Sequence, residues 1–504
     1  MTYRSLLYAL SLAPAVAGAQ TQRPNIIFIL CDDMGWGDLA CYGQQYISTP
    51  NIDRMAAQGM QFMQAYAGSP VSAPSRASLM TGQHTGHCEV RGNKEYWPQS
   101  GKVFYNGNAD YAVVGQHPLD PRHVVIPEIM KQNGYTTAQF GKWAGGYEGS
   151  VSTPDKRGID EFYGYICQFQ AHAYYPNFLN KYSSRDGDKG VSRDILHENI
   201  KHDFRSDDYF KRTEYSADII HHKAMAWLER QDTEHPFYGL FTYTIPHAEL
   251  VQPEDSILQF YKQKFSVDKD YRGEVGSWYH AIGHVHAQFA AMITRLDTYV
   301  GEIMALLERK GMADNTILIF SSDNGPHEEG GADPTFFNRD GVLKGLKRSC
   351  HEGGIRVPFI VRWPGHVPAG VKNQHPIAFY DIMPTFCDII GEHDYIAKYR
   401  SPSLGDADHF DGISFLPTLM GRDAEQASHP YLYWEFNETN QIAVRQGKWK
   451  LIVKRGVSEL YDLETDVHED HNLADQYSEK VAELQAIVRQ AHTPNPYFHV
   501  TLPQ

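Results

Sequence analysis

Pro24-Asn25-Ile26-Ile27-Phe28-Ile29-Leu30-Cys31-Asp32-Asp33 decides the fold. The apolar, β-branched run through Leu30 has no polar alternation, so it reads as a strand buried on both faces, as in a parallel sheet covered by helices on both sides. It ends on two carboxylates, and open α/β sheets bind ligands at the C-terminal edge of their strands. The pattern recurs along the chain. Residues 50–60 and 75–80 have helical spacing. Residues 124–133 form a helix, Gly134 turns, and 136–140 form a strand ending in Gly141-Lys142-Trp143. A helix at 223–230 precedes a strand at 236–244 that holds Ile245-Pro246-His247 at its exit. An amphipathic helix at 289–310 precedes a buried strand at 316–320 with the exit loop Ser321-Ser322-Asp323-Asn324-Gly325. This alternation predicts an α/β fold with a mostly parallel sheet flanked by helices, delivering polar residues at one edge.

Composition sets the bounds. The chain has 504 residues, 42% of them hydrophobic, which excludes a disordered, collagen-like or polytopic membrane chain. Its 46 basic against 61 acidic side chains give −15, which argues against a nucleic-acid partner and requires any anionic substrate to meet a local cationic cluster. Six Cys without a CxxC pair suggest neither a zinc site nor a disulfide framework. Arg4, the apolar run 6–16 and Ala17-Gly18-Ala19 read as a signal peptide over 1–19, too short to span a bilayer, so an exported periplasmic or secreted protein without a membrane span is expected. Residues 94–122 and 149–205 lack periodicity and read as long loops over the active-site edge. Near Asp423 the texture changes: 431–436, 441–453 and 459–463 form an antiparallel meander, followed by a helix at 478–492. The mature chain thus divides into a catalytic domain, 23–425, and a smaller C-terminal subdomain, 426–504.

Asp32, Asp33, Asp323 and Asn324 are hard oxygen donors at two strand ends, a set suited to Ca²⁺ or Mg²⁺ rather than zinc. The segment that ties them together is Ser72-Ala73-Pro74-Ser75-Arg76-Ala77-Ser78-Leu79-Met80-Thr81-Gly82. Here the sequence resembles the formylglycine-dependent sulfatase family, and the resemblance continues in order through 134–143, Pro246-His247, 322–326, 347–358 and the meander. It implies an alkaline-phosphatase-like fold and oxidation of Ser72 to formylglycine (3-oxoalanine). Because the residue is Ser and not Cys, it also implies a radical-type sulfatase-maturating enzyme as partner. The hydrated aldehyde carries two hydroxyls: one takes the sulfuryl group, and the other re-forms C=O and expels sulfate.

The resemblance further implies Ca²⁺ held by Asp32, Asp33, Asp323 and Asn324 beside modified Ser72. Arg76 would hold the hydrate, Lys142 and Lys347 would grip sulfate, and His247 would protonate the leaving alcohol. A dication, two ammoniums and a proton donor match the charge that develops in sulfuryl transfer. The family often has His two residues after the Gly-Lys-Trp lysine, and this chain has Ala144. His327 or His172 is the expected substitute, or a substrate contact. Glu352 and Arg356 read as structural partners.

Export and Tyr-rich loops suit a carbohydrate substrate. Residues 168–175 and 330–337 resemble a branch of glycan-foraging sulfatases associated with galactose or N-acetylgalactosamine 4-sulfates. Arg91, Trp434 and Glu435 are candidate sugar contacts, with Trp434 equally readable as core of the meander. Two other readings stay open: a phosphomonoesterase or phosphodiesterase using unmodified Ser72, and an inactive glycan-binding homologue.

Overall fold

The computed structural model describes residues 23–93, 95–96, 115–197, 209–273, 279–405 and 408–503. The signal peptide expected at 1–19 lies outside the described residues, as does most of 94–122.

The first strand, Asn25–Cys31, sits in the middle of an eleven-stranded sheet. Its side chains alternate between two cores: Ile27 and Ile29 join one, and Ile26, Phe28 and Leu30 join the other. Full burial on both faces explains the uninterrupted apolar run, since each such side chain contributes about 1.5–3 kcal/mol on leaving water. The five central strands are parallel, in the order Thr316–Ser322, Asn25–Cys31, Phe237–Thr242, Thr136–Lys142 and Glu161–Tyr165. Arg356–Arg362 extends one side antiparallel and is followed by Met60–Tyr66. The 25-residue helix Val285–Arg309 presents an apolar stripe to one core. Among the described residues, no helix is long and apolar enough to cross a membrane.

Two expectations change here. The segment 149–205 is not loop throughout: Glu161–Tyr165, Phe178–Ser183 and Ser192–Ile195 continue the main sheet on its far side. Their polar and glycine content masked the period, and the last strand lies on the sheet edge, where a hydrophobic pattern is not required. Met60–Tyr66 was also missed, because its MQFMQAY sequence continues the helical pattern of Pro50–Ala57.

Leu432–Phe436, Gln441–Gln446, Trp449–Lys454 and Val457–Asp462 form a separate four-stranded antiparallel sheet. Period-2 alternation assigns its two faces. Trp434, Phe436, Ala443 and Ile452 pack against Tyr66, Val71, Ile355 and Tyr380 of the large body. Tyr433, Ile442, Val444 and Leu451 receive Leu484 and Val488 from the helix Ser478–Ala491. The small sheet is therefore a cover fastened beside the catalytic edge. All six cysteines are free.

Candidate active site

Register builds the centre. Cys31 pairs with Ser322 on neighbouring parallel strands, so the next residues, Asp32-Asp33 and Asp323-Asn324, leave the same sheet edge side by side. The Asp33 N–H donates to Asp323 Oδ1 at 3.1 Å and Asn324 Nδ2 donates to Asp33 Oδ1 at 2.7 Å. Asp33 adopts φ 63°, a left-handed conformation uncommon outside Gly and of the kind concentrated at functional sites.

Ser72 is the first residue of the helix Ser72–Thr81, and Arg76 lies one turn on, on the same face. Ser72 Oγ donates to Asp32 Oδ1 at 2.8 Å and lies 3.4 Å from Asn324 Oδ1. Arg76 grips Asp323 Oδ2 through Nε at 2.9 Å and Nη2 at 2.8 Å. Lys142 ends its strand with Nζ 2.6 Å from Asp32 Oδ2. Gly141 makes this approach possible: a Cβ there would meet the Thr242 carbonyl oxygen at 2.0 Å. Lys347 Nζ lies 2.8 Å from Asp33 Oδ2 and 3.0 Å from His247 Nε2. His247 Nδ1 faces the Ala248 carbonyl and must donate, which leaves Nε2 as the acceptor from Lys347.

These groups are almost wholly buried, so their charges govern one another. Burial raises the Asp32 carboxyl, but Lys142, His247 and Arg76 outweigh it and hold the group well below the usual range. Asp33, buried yet paired with Lys347 and His247, lies at about 2. Asp323 is pushed up to about 7 by burial and by the charge of Asp32. Burial, then Lys347, lowers His247 below its ordinary 6.5. Lys347 stays charged against its burial because Asp33 and Glu329 face it.

The donor set fits a hard dication. Carboxylates of Asp32, Asp33 and Asp323, the Asn324 amide oxygen and the Ser72 hydroxyl converge without sulfur, the all-oxygen set that a Ca²⁺ would take. His247 and His327 lie near these carboxylates. Neither is a ready ligand: His247 Nε2 faces Lys347, and both His327 nitrogens are engaged, by the Pro246 carbonyl at 3.1 Å and the Glu329 N–H at 3.1 Å.

Ser72, Lys142, His247 and Lys347 open onto one cavity of about 550 Å³. His172 also lines it, with its ring stacked on His247 at 4.5 Å. His327 does not. It supports the Pro246 carbonyl and, at 5.6 Å, stacks behind His247, so the expectation of a substrate contact there is corrected to a positioning role. Arg91, Trp434 and Glu435 are corrected as well. Arg91 is enclosed by Glu435 Oε2 at 2.9 Å and the carbonyls of Cys88 and Thr493, each at 2.8 Å. Trp434 Nε1 donates to the Ala67 carbonyl at 2.8 Å, and all three side chains are buried where the small sheet meets the body. Glu352 and Arg356 pair at 3.3 Å as expected.

Sequence reasoning missed other residues lining the cavity, among them Tyr279, Glu329, Arg348, Asn437 and Glu438. Glu329 Oε2 lies 3.3 Å from Lys347 Nζ, and its Oε1 takes Arg348 Nη1 at 2.5 Å. The position of Arg348 directly after Lys347 was the available signal. Glu329 and the 437–438 turn carried none, because their place depends on tertiary packing.

Comparison with known proteins agrees with this geometry. The Sulfatase family model matches residues 24–392, and the model described as N-sulphoglucosamine sulphohydrolase, C-terminal, matches 345–493. An N-acetylgalactosamine-6-O-sulfatase of Bacteroides thetaiotaomicron is 29% identical, with 94% of each chain covered. An N-acetylgalactosamine-6-sulfatase of Sus scrofa is 31% identical over 88% of this chain and 74% of its own. Among solved structures, Ps i-CgsB in complex with a neocarrahexaose superposes with TM-score 0.68 at 25% identity, covering 95% of this chain and 96% of that one. With its strand-end carboxylates, helix-borne Ser72 and paired lysines in one cavity, this chain belongs to the sulfatase family and is a sulfuric ester hydrolase.

Proposed function

We propose that the enzyme releases inorganic sulfate from an ester on a galactose or N-acetylgalactosamine residue of a glycan, using a formylglycine made from Ser72 and a Ca²⁺ held by Asp32, Asp33, Asp323 and Asn324. The observation that carries this reading is the convergence of the Ser72 hydroxyl, two ammoniums and His247 on a single cavity. When present, the formylglycine hydrate supplies the nucleophilic oxygen and an exit for sulfate, and Ca²⁺ offsets charge on the sulfate oxygens.

The chain's own residues do the rest. Lys142 and Lys347 stand at opposite carboxylates and present ammoniums to the nonbridging oxygens, where charge accumulates in the transition state. Because Nδ1 of His247 is tied to the Ala248 carbonyl, Nε2 is the nitrogen that gains a proton when the ring becomes imidazolium, 3.2 Å from Asp33 Oδ2, and passes that proton to the departing sugar oxygen, returning the ring to its neutral form. Arg76 fixes Asp323 and, across 3.7 Å, Asp32. It thereby holds the carboxylates around Ser72.

A galacto-configured sugar is the common ground between the sequence runs at 168–175 and 330–337 and the names of the relatives. Gln168, Phe169 and His172 from the first run line the cavity. Phe336 and Phe337 of the second pack on His286 and Phe265 instead. The first run therefore carries the support for a 4-sulfate, against relatives named for 6-sulfates. Export on the segment 1–19 and maturation by a radical-type enzyme complete the proposal.

The test is peptide mass spectrometry of the Ser72 segment from a maturase-equipped host, combined with sulfate release from 4- and 6-sulfated galactose and N-acetylgalactosamine. Loss of two hydrogens at Ser72, together with sulfate release, is expected. Full activity with unmodified serine, or turnover of phosphate esters in place of sulfate esters, would overturn it.

A further inference from the structure

Away from the sulfate-facing lysines, the cavity wall is rich in hydrogen-bond acceptors. Gln168 Oε1 and Asn437 Oδ1 are buried without a protein donor. Glu329 accepts from the Tyr279 hydroxyl at 2.9 Å and from Lys347 and Arg348, which fills three of a carboxylate's roughly four acceptor positions. Glu438 Oε1 takes the Asn93 N–H at 2.5 Å. The cation of this wall is Arg348, and its backbone is unusual: φ is 74°, a left-handed region that a residue with a Cβ seldom adopts. The conformation is enforced by the Arg348 N–H donating to the Pro70 carbonyl at 2.9 Å and by Gln441 Nε2 donating to the Arg348 carbonyl at 3.1 Å. This clamp turns the guanidinium toward Glu329 inside the cavity, with the side chain still 45% exposed.

Glu329 is offset by Lys347 and Arg348, whereas Glu438 makes no ion pair among the described residues and is the uncompensated acid of this wall. Sugar hydroxyls and an acetamide N–H are donors that satisfy such a surface. A second sulfate or a uronate carboxylate only accepts, so it would leave the orphan oxygens unpaired and meet the uncompensated charge of Glu438. Resting on the sulfatase reading above, we propose that the subsite beside the scissile sulfate selects an uncharged, hydroxyl-bearing sugar and rejects units carrying a second anionic group. Gln168, Glu329, Asn437 and Glu438 act there as acceptors and Arg348 as donor. Arg348 pairs with Glu329 in the resting site and hands a sugar oxygen one of its remaining N–H groups, while Glu438 contributes repulsion, the element that gives a site its selectivity against a competitor.

The test compares monosulfated galactose or N-acetylgalactosamine with the same sugar bearing a second sulfate. Calorimetric binding to the Ser72→Ala protein is measured alongside kcat/KM of the matured enzyme. A preference of at least about tenfold for the monosulfated sugar is expected in both. Glu438→Gln, at an exposed turn, narrows that ratio severalfold without lowering the melting temperature, and Gln168→Ala raises KM for the monosulfated sugar. Equal or tighter binding of the disulfated sugar, or a ratio untouched by Glu438→Gln, would overturn the inference. Selective binding by the Ser72→Ala protein without sulfate release by the matured enzyme upholds the subsite and instead sinks the catalytic reading.

Discussion

Lys450→Met probes how the small sheet holds the catalytic loop. Lys450 is fully buried on the strand Trp449–Lys454, with Nζ 2.8 Å from Glu352 Oε1 and 2.9 Å from Glu469 Oε1. Glu352 also accepts from the Tyr66 hydroxyl at 2.7 Å and pairs with Arg356, and it begins a short helix five residues after Lys347. Met keeps the apolar stem and removes the ammonium, leaving two buried carboxylates to share what Arg356 and Arg445 supply. Breaking a buried ion pair from one side costs about 3–5 kcal/mol. The structure gives a matching scale: burial opposes the charge of Glu352, yet Lys450 and Arg356 bring its carboxyl from 4.5 to about 2, and at about 1.36 kcal/mol per pH unit this is on the order of 3 kcal/mol. The sign is that of a depressed acid. This stability is fully present above pH 4.5 and is lost as the pH falls toward 2.

Urea unfolding at pH 7, followed through tryptophan fluorescence, to which Trp434 and Trp449 of the small sheet contribute, is expected to show a loss of about 3–5 kcal/mol. The acid-induced weakening of the native enzyme between pH 4.5 and 2 should shrink in the variant. Adding Glu352→Gln and Glu469→Gln to Lys450→Met removes the orphaned charges and should restore much of the loss. A single-variant loss below about 1 kcal/mol, or no recovery in the triple variant, would refute the buried network as the fastening of the Lys347 loop.

Three further outcomes follow, two from the site and one from the joint between the small sheet and the body. His247→Gln should lower kcat about 10²–10⁴-fold on sugar sulfates and far less on aryl sulfates, whose leaving group needs no proton. In the native enzyme, kcat/KM should decline as pH rises through a value below 6.5, because burial and Lys347 depress His247 in the free site, and the limb in kcat should lie higher, because bound sulfate restores negative charge beside the ring. Equal losses on sugar and aryl substrates would remove the proton-donor role. Arg91→Met should lower stability by about 3–5 kcal/mol by stranding Glu435, with KM unchanged at temperatures where the variant is folded. A tenfold rise in KM in fully folded protein would return Arg91 to the substrate surface.

What the sequence disclosed and what it concealed divide along a physical line. Local patterns with a period were legible: the doubly buried run from Asn25 to Cys31, the helix that carries Ser72 and Arg76, and the meander that closes the chain. So were groups delivered by a strand end, because parallel register alone sets Asp32-Asp33 beside Asp323-Asn324. Residues whose meaning depends on which way a side chain turns were not legible. Arg91, Trp434 and Glu435 have the chemistry of sugar contacts, yet all three are consumed in joining the small sheet to the body. His327 sits in the right loop and spends both nitrogens on backbone. Conversely, Arg348 stands in the run 347–358 with no role of its own, and only a left-handed backbone clamped by Pro70 and Gln441 turns its guanidinium into the cavity. The proposed sulfate-binding chemistry thus rests on motif residues at strand ends, on one helix and, for Lys347, on a loop. The proposed sugar contacts lie on loop residues from the distant segments 168–172, 329, 348 and 437–438, and of these only 437–438 comes from the small sheet.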